Sequence, residues 1–149
     1  MLDFHELRSD QEIAAAFPLM RTLRERLEAE TFVAAVRRQQ CEGYELIGAF
    51  DGSALVALAG VRRSHTLARG EHLFVDDLVT EEKVRGRGHG AALLTWVARR
   101  AAAEGLLMLH LDSRSTARGF YEKAGFTFQS SIPCSVEIPK FLAEGPGVL

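Results

Sequence analysis

The spacing of apolar residues changes period along the chain, and the changes divide it into helical and extended stretches. Residues 3–7, DFHEL, alternate polar and apolar, which predicts a short first strand. Beyond Ser9 the spacing becomes helical, with Ile13, Phe17, Met20, Leu23 and Leu27 recurring three to four residues apart. Ser9 and Glu12 have the S-x-x-E relation of a capping box, in which two side chains satisfy backbone amides left free at a helix start. Pro18 lies within this run and predicts a kink or an interruption, because it has no amide to donate. A second helical segment, FVAAVRRQQ, follows Thr31 as its cap and ends before Gly43.

The period then shortens. YELIGAF and SALVALAGVR flank Asp51-Gly52, a dipeptide that tolerates the positive φ angles of a tight turn, so the two runs are read as an antiparallel pair. HLFVDDLVT, residues 72–80, is a third strand, reached through the polar RRSHTLARGE, read as a mobile loop. AALLTWVARRAAAEG returns to helical spacing through Leu93, Leu94, Val97 and Ala101 and closes at Gly105. LLMLHLD is read as a short buried strand. STARGFYEKAG is read as a helix capped by Ser113 or Ser115 and ended by Gly125, and FTFQSS and CSVEIPKF as two closing strands. With no repeat, low-complexity tract or linker, these elements predict one α/β domain over residues 1–149 around a mixed sheet.

Composition narrows the function classes. The chain has 149 residues, 47% of them hydrophobic and 26% charged, enough to bury one core. A net charge of −2 offers no basic field for a phosphate backbone, so a nucleic-acid partner is not expected. The acidic start and the lack of any apolar run of bilayer length predict a soluble, cytoplasmic protein with no membrane partner. Cys41 and Cys134 are far apart and are read as reduced, half-buried thiols. Neither they nor His5, His65, His72, His89 and His110 have metal-ligand spacing, and no metal is expected.

The stretch VRGRGHGAALL, residues 84–94, points to chemistry. Gly86, Gly88 and Gly90 open a helix whose first amides and positive dipole end attract an anion, and glycines let that anion approach. Arg85 and Arg87 can add bidentate hydrogen bonds, so the stretch reads as a phosphate cradle. Gly86-x-Gly88-x-x-Ala91 also fits a dinucleotide fingerprint, with Asp112 as the ribose acid. Against a nicotinamide oxidoreductase, TEEKVR intervenes between the strand and the glycines, and too little chain follows to complete a doubly wound sheet. A Walker A loop is excluded, since no Gly-Lys-Ser/Thr follows.

Asp76 and Asp77 stand out inside an apolar strand. Adjacent strand residues face opposite ways, so at most one should point into a given face, and a buried carboxylate needs an ion pair or a use.

DDLVTEEKVRGRGHGAALL resembles the central motif of the GCN5-related N-acetyltransferases, or GNAT family, whose Q/R-x-x-G-x-G/A is matched by Arg85-x-x-Gly88-x-Gly90. RSTARGFYEKAGF is similar to that family's last conserved helix with its Tyr-Glu-Lys-x-Gly-Phe run, and the two motifs with the strand between them span residues 74–128. The resemblance implies a single-domain α/β fold with a mixed, mostly antiparallel sheet flanked by helices and splayed between the fourth and fifth strands. It implies transfer from acetyl-CoA directly to a primary amine in a ternary complex. The amides of Gly86 to Ala91, His89 and Gly90 among them, would hold the pyrophosphate with Arg85 and Arg87, while Leu78, Val79 and Thr80 would pair with the pantetheine arm. Lys123 of the FYEK run is a further cofactor contact. Arg114 replaces the asparagine common seven residues before the tyrosine, and Ser113 or Ser115 is the candidate substitute.

Within that resemblance Tyr121 is the acid for the departing thiolate and Asp76 the water-mediated base. Asp77 is either structural or the binder of the substrate ammonium, and the amide of Leu78 or Val79 is the oxyanion donor. The acidic pair is similar to the polyamine- and histone-type branch. It implies a cationic acceptor, a polyamine, an aminoglycoside-like amine or a lysine side chain, at an acidic mouth of Asp76, Asp77 and Glu45. A non-catalytic acyl-CoA-binding module is the alternative, and a monomer or homodimer is expected.

Overall fold

The computed structural model describes residues 1–145. They group by contact into two compact units, Met1–Arg114 and a second beginning at Ser115. The first unit contains strands β1 (Leu2–Glu6), β2 (Tyr44–Asp51), β3 (Ala54–Thr66), β4 (Gly70–Thr80) and β5 (Leu109–Leu111), and helices α1 (Asp10–Leu23), α2 (Ala29–Gln40) and α3 (His89–Ala103). The strands form one sheet in chain order, antiparallel from β1 through β4 and parallel between β4 and β5.

Helix α1 begins as its capping box requires. Ser9 Oγ accepts from the Glu12 amide at 3.1 Å, and Glu12 Oε2 accepts from the Ser9 amide at 2.9 Å. The helix is not interrupted at Pro18, which lies inside it. The apolar stripe compensates for the missing bond, because Ile13, Ala16, Leu19 and Met20 are all buried. Helix α2 starts two residues before the expected cap, with Glu28 rather than Thr31 at its N-cap. Phe32 and Val36 of α2 join α1 against Leu46, Leu58 and Val79 to form the core on one face of the sheet. On the other face Val97 and Ala101 of α3 meet Ile47, Val61 and Leu73. Alternation along β2, with Leu46 on one face and Ile47 on the other, supplies both layers.

The Asp51-Gly52 hairpin forms as expected, with Gly52 at φ +60°. The run read as a mobile loop does not. Arg62 through Thr66 extend β3 and pair with Phe74 through Gly70, leaving only a tight turn. A ladder of backbone hydrogen bonds needs no apolar side chains, so the polar composition concealed the strand. The strand read from LLMLHLD is shorter and less buried than expected: only Leu109–Leu111 pair, and Leu107 and Met108 are exposed.

In the second unit a 3-10 turn, Ser115–Ala117, leads into α4 (Arg118–Lys123), whose N-cap is Ala117 rather than either serine. The two closing strands are absent. Residues 126–137 form no strand, and Ile138–Glu144 form helix α5, whose first turn accommodates Pro139. Ile132, Val136 and Ile138 are exposed, so no sheet face buries the alternation that suggested strands. Cys41 and Cys134 are exposed free thiols, where half-buried ones were expected.

Candidate active site

The site is organised by an irregularity in β4. Val75 pairs with Val61 and Asp77 with Gly60, so Asp76 has no partner on β3 and forms a β-bulge. A bulge re-aims side chains. Contrary to the expectation for a regular strand, Asp76 and Asp77 both line one cavity of about 710 Å³ beneath the ends of α1 and α2. Its apolar wall includes Met20, Leu23, Leu27, Phe32 and Val36.

Neither acid is left as an uncompensated charge. Arg62 grips Asp76 in a fork, with Nε to Oδ2 at 2.5 Å and a second nitrogen to Oδ1 at 2.8 Å, and the carboxylate holds the guanidinium firmly protonated. Asp77 Oδ1 accepts from Arg24 Nε at 2.8 Å, and its Oδ2 from the Tyr44 hydroxyl at 2.8 Å. Arg24 also donates to the Asp76 carbonyl at 2.7 Å, so one guanidinium just past α1 ties that helix to the bulge. Burial first, and the Asp77 charge second, push the Tyr44 phenol far above its ordinary range.

Tyr44 reaches Asp77 from β2 by crossing β3, and the crossing depends on Gly60. A Cβ there would lie 2.0 Å from the Tyr44 hydroxyl oxygen and 2.6 Å from Asp77 Oδ2. Any side chain would therefore break the pair. The acidic mouth differs from expectation in one member: Glu45 is paired with Arg100 and does not line this cavity.

Beside the acids, β4 has a free edge. Its pairing with β5 covers only Leu73 to Val75, so among the described residues β4 is paired from Asp77 to Thr80 on its β3 side alone. This is the splay expected between the fourth and fifth strands. The edge leads through a 3-10 turn, Glu82–Val84, to the glycine stretch. Gly86 and Gly88 adopt φ of +79° and +84°, in the left-handed region that only glycine occupies without strain, and a Cβ at either would project into open space. Gly88 is the N-cap of α3 and supplies no side-chain cap, and no acidic residue occupies the first turn. Its amides thus remain available, unlike those of α1. His89 Nε2 is buried at the same helix start with no hydrogen-bond partner among the described residues. Arg85 Nε donates to the Thr80 carbonyl at 3.3 Å, folding the loop back on the strand.

Ser113 Oγ donates to the adjoining Arg114 carbonyl at 2.8 Å, while Arg114 donates to the Leu23 carbonyl at 2.9 Å and lines the cavity. Tyr121, Ser115 and Lys123 belong to the second unit. There Tyr121 is buried edge-on between Phe120 and Phe126, with ring centroids 5.1 and 5.3 Å away, and burial raises its phenol above the ordinary value. Among the described residues no group of three or more His, Cys, Asp or Glu is placed to hold a metal ion.

The signature of the Acetyltransferase (GNAT) family matches residues 4–126. The chain belongs to the GNAT acetyltransferases. It is 35% identical over 135 residues to the Bacillus subtilis (strain 168) protein named uncharacterized N-acetyltransferase YhdJ, an alignment covering 87% of this chain and 95% of that one. Among solved structures, a transcriptional regulator from Bacillus halodurans C-125 superposes with a TM-score of 0.77 at 22% identity, over 93% of this chain and 100% of that one. The aminoglycoside N-acetyltransferase AAC(6')-Iy, solved in complex with CoA, gives a TM-score of 0.80 at 14% identity over 93% and 95% of the two chains. These likenesses establish the GNAT fold of a five-stranded mixed sheet with flanking helices.

This GNAT protein is an N-acetyltransferase, and acetyl-CoA is its co-substrate. The residues present fit that group: free amides and open space at Gly86 and Gly88 suit a pyrophosphate, and the free edge from Asp76 to Thr80 suits an amide-bearing arm. Sequence reading missed Tyr44, Arg24, Arg62 and Gly60. A tyrosine opening a buried strand and a glycine inside an apolar one were the available signals, and neither names a partner.

Proposed function

We propose that the chain passes the acetyl group of acetyl-CoA directly to a primary amine seated in the cavity beneath α1 and α2. The observation that carries this reading is the adjacency of the free β4 edge, the Asp76–Asp77 bulge and a cavity of about 710 Å³. Acetyl-CoA supplies the thioester whose carbon–sulfur bond breaks as the new carbon–nitrogen bond forms. The backbone amides of residues 86–91, Gly86, Gly88, His89, Gly90 and Ala91 among them, with the Arg85 and Arg87 side chains, hold its diphosphate, and Leu78, Val79 and Thr80 align its arm. Ser113, Ser115 and Lys123 are further contacts along the bound cofactor.

The incoming ammonium must lose one proton before attack. Asp76 is the more exposed of the two carboxylates, and it takes that proton through a water. Asp77 is a positioning residue, holding Tyr44 and Arg24 so that the bulge keeps its shape. Tyr121 donates a proton to the departing sulfur, giving a free thiol, and the second nitrogen proton, released as the amide forms, restores its phenol. The Tyr121 phenol is protonated at neutral pH, as an acid requires, and burial raises it further from its ordinary value. The amide of Leu78 or Val79 stabilises charge on the thioester oxygen.

The acidic pair is what suggests the polyamine- and histone-type branch, and its partners Arg62 and Arg24 weigh against a polycationic acceptor. We place residues 1–149 in one acetyltransferase domain acting in the cytoplasm, as monomer or homodimer. No helix among the described residues is long and apolar enough to cross a membrane.

The test is calorimetric titration with acetyl-CoA and NADH, followed by a thiol-release screen of amines. Binding of acetyl-CoA that disappears in Gly88→Glu, and turnover that falls roughly 100-fold or more in Asp76→Asn and in Tyr121→Phe, are expected. Turnover unchanged in both variants would remove their assigned roles.

A further inference from the structure

Once the two ion pairs of the cavity are set aside, the charge left on its wall is basic. Asp77 is matched by Arg24 and Asp76 by Arg62. The remaining charged residues on the wall are Glu25, Arg26 and Arg114. Within the Met1–Arg114 unit, no carboxylate lies within ion-pair distance of Arg26 or Arg114, and Glu25 is likewise without a partner. Two arginines thus face the cavity against one glutamate.

Arg114 is held rather than free. One terminal nitrogen donates to the Leu23 carbonyl at 2.9 Å, at the C-terminal end of α1, where exposed carbonyls and the negative dipole end favour a cation. That bond spans 91 residues of sequence and uses one of five N–H donors. The rest of the planar fork is available, and such a fork matches an oxyanion in two places at once. The apolar wall of Met20, Leu23, Leu27, Phe32 and Val36 selects against a strongly hydrated polycation.

We infer that the acceptor is an amine carrying an oxyanion on an apolar frame, an amino carboxylate or amino phosphate, with Arg114 and Arg26 reading the oxyanion. The inference rests on the acetyltransferase reading above and specifies the acceptor class of the same cavity. Arg114 becomes a specificity residue for the acceptor. The oxyanion then stays at the two arginines while the amine points to the Asp76–Asp77 bulge.

The experiment compares kcat/KM for phenylalanine, phenylalaninamide, the phosphate monoester of phenylalaninol and spermidine, on the wild type, Arg114→Gln and Arg26→Gln. The wild type is expected to prefer an oxyanion-bearing amine over phenylalaninamide by at least tenfold, the carboxylate and phosphate arms showing which oxyanion is taken. Arg114→Gln should collapse that preference to within about twofold. Arg26→Gln, at an exposed residue that makes no ion pair among the described residues, should reduce the preference even if Arg114→Gln does not fold. Preference for spermidine or phenylalaninamide, an undiminished ratio in the variants, or acetyl-CoA binding with no turnover of either oxyanion-bearing amine would overturn the inference. Failure of acetyl-CoA to bind in calorimetry would instead overturn the acetyltransferase reading itself.

Discussion

Tyr44→Phe isolates the bond on which the bulge depends. The substitution removes one hydroxyl and keeps a ring that is 4% exposed, so apolar burial is almost unchanged. What disappears is a 2.8 Å hydrogen bond to Asp77, whose side chain is 12% exposed. A hydrogen bond to a charged, largely buried acceptor contributes about 1.5–3 kcal/mol net. Arg24 remains on the other oxygen, so the carboxylate is not orphaned, and the loss should stay within that range rather than exceed it. For a chain of this size it corresponds to a fall in Tm of roughly 3–12 °C. Urea unfolding followed through Trp96, the single tryptophan, reports on the unit that holds the pair. A cycle with Asp77→Ala should return a coupling energy of roughly 1–3 kcal/mol. A loss below about 0.5 kcal/mol, with coupling near zero, would mean that the hydroxyl does not bond Asp77 in solution, and the account of Gly60 would fall with it.

Three other outcomes follow from the same geometry. Gly60→Ala forces a methyl against the Tyr44 hydroxyl and should destabilise by about 1–3 kcal/mol or more, with acceptor turnover falling alongside; unchanged urea midpoint and turnover would contradict the close approach. Because the Tyr44 phenol is raised in the folded state, the stability it contributes is present below about pH 10, its ordinary value, and is lost as pH rises above that. Tyr44→Phe should therefore flatten the alkaline fall of the urea midpoint between pH 9 and 11. The amides of Ser9 and Arg8 hold the Glu12 carboxyl below its ordinary value, so its contribution is present above about pH 4.5 and lost as pH falls through the folded value. Glu12→Gln should make acid unfolding less steep, and an unchanged acid limb would argue against the capping box.

How much of this site could be read in advance varies with the range of the interaction. The glycine loop and the uncapped helix start were legible because they are built by consecutive residues: positive φ at Gly86 and Gly88 and free amides at the start of α3 are properties of one loop and one helix turn. The two acids could be found but not oriented, since a strand's alternation assumes regular pairing and the bulge at Asp76 breaks it. Their partners lay outside any local pattern.

Read on its own, the sequence determined the elements whose signals fit within a turn or two of chain: the Ser9–Glu12 cap of α1, the Asp51-Gly52 hairpin, the apolar stripe of α3 and the glycine loop before it. It misread the stretch from Arg62 to Glu71 and the run after Gly125, where polar or alternating composition does not say whether a neighbouring strand exists. Tertiary structure set the register of β4 on β3 and, through it, which face both acids share. It also joined Tyr44 to Asp77 across 33 residues, Arg24 to Asp77 across 53 and Arg114 to Leu23 across 91. The physical reason is that backbone propensity and apolar period are encoded over a few residues. A contact between distant segments depends on how whole elements pack, and no single stretch of chain carries that information.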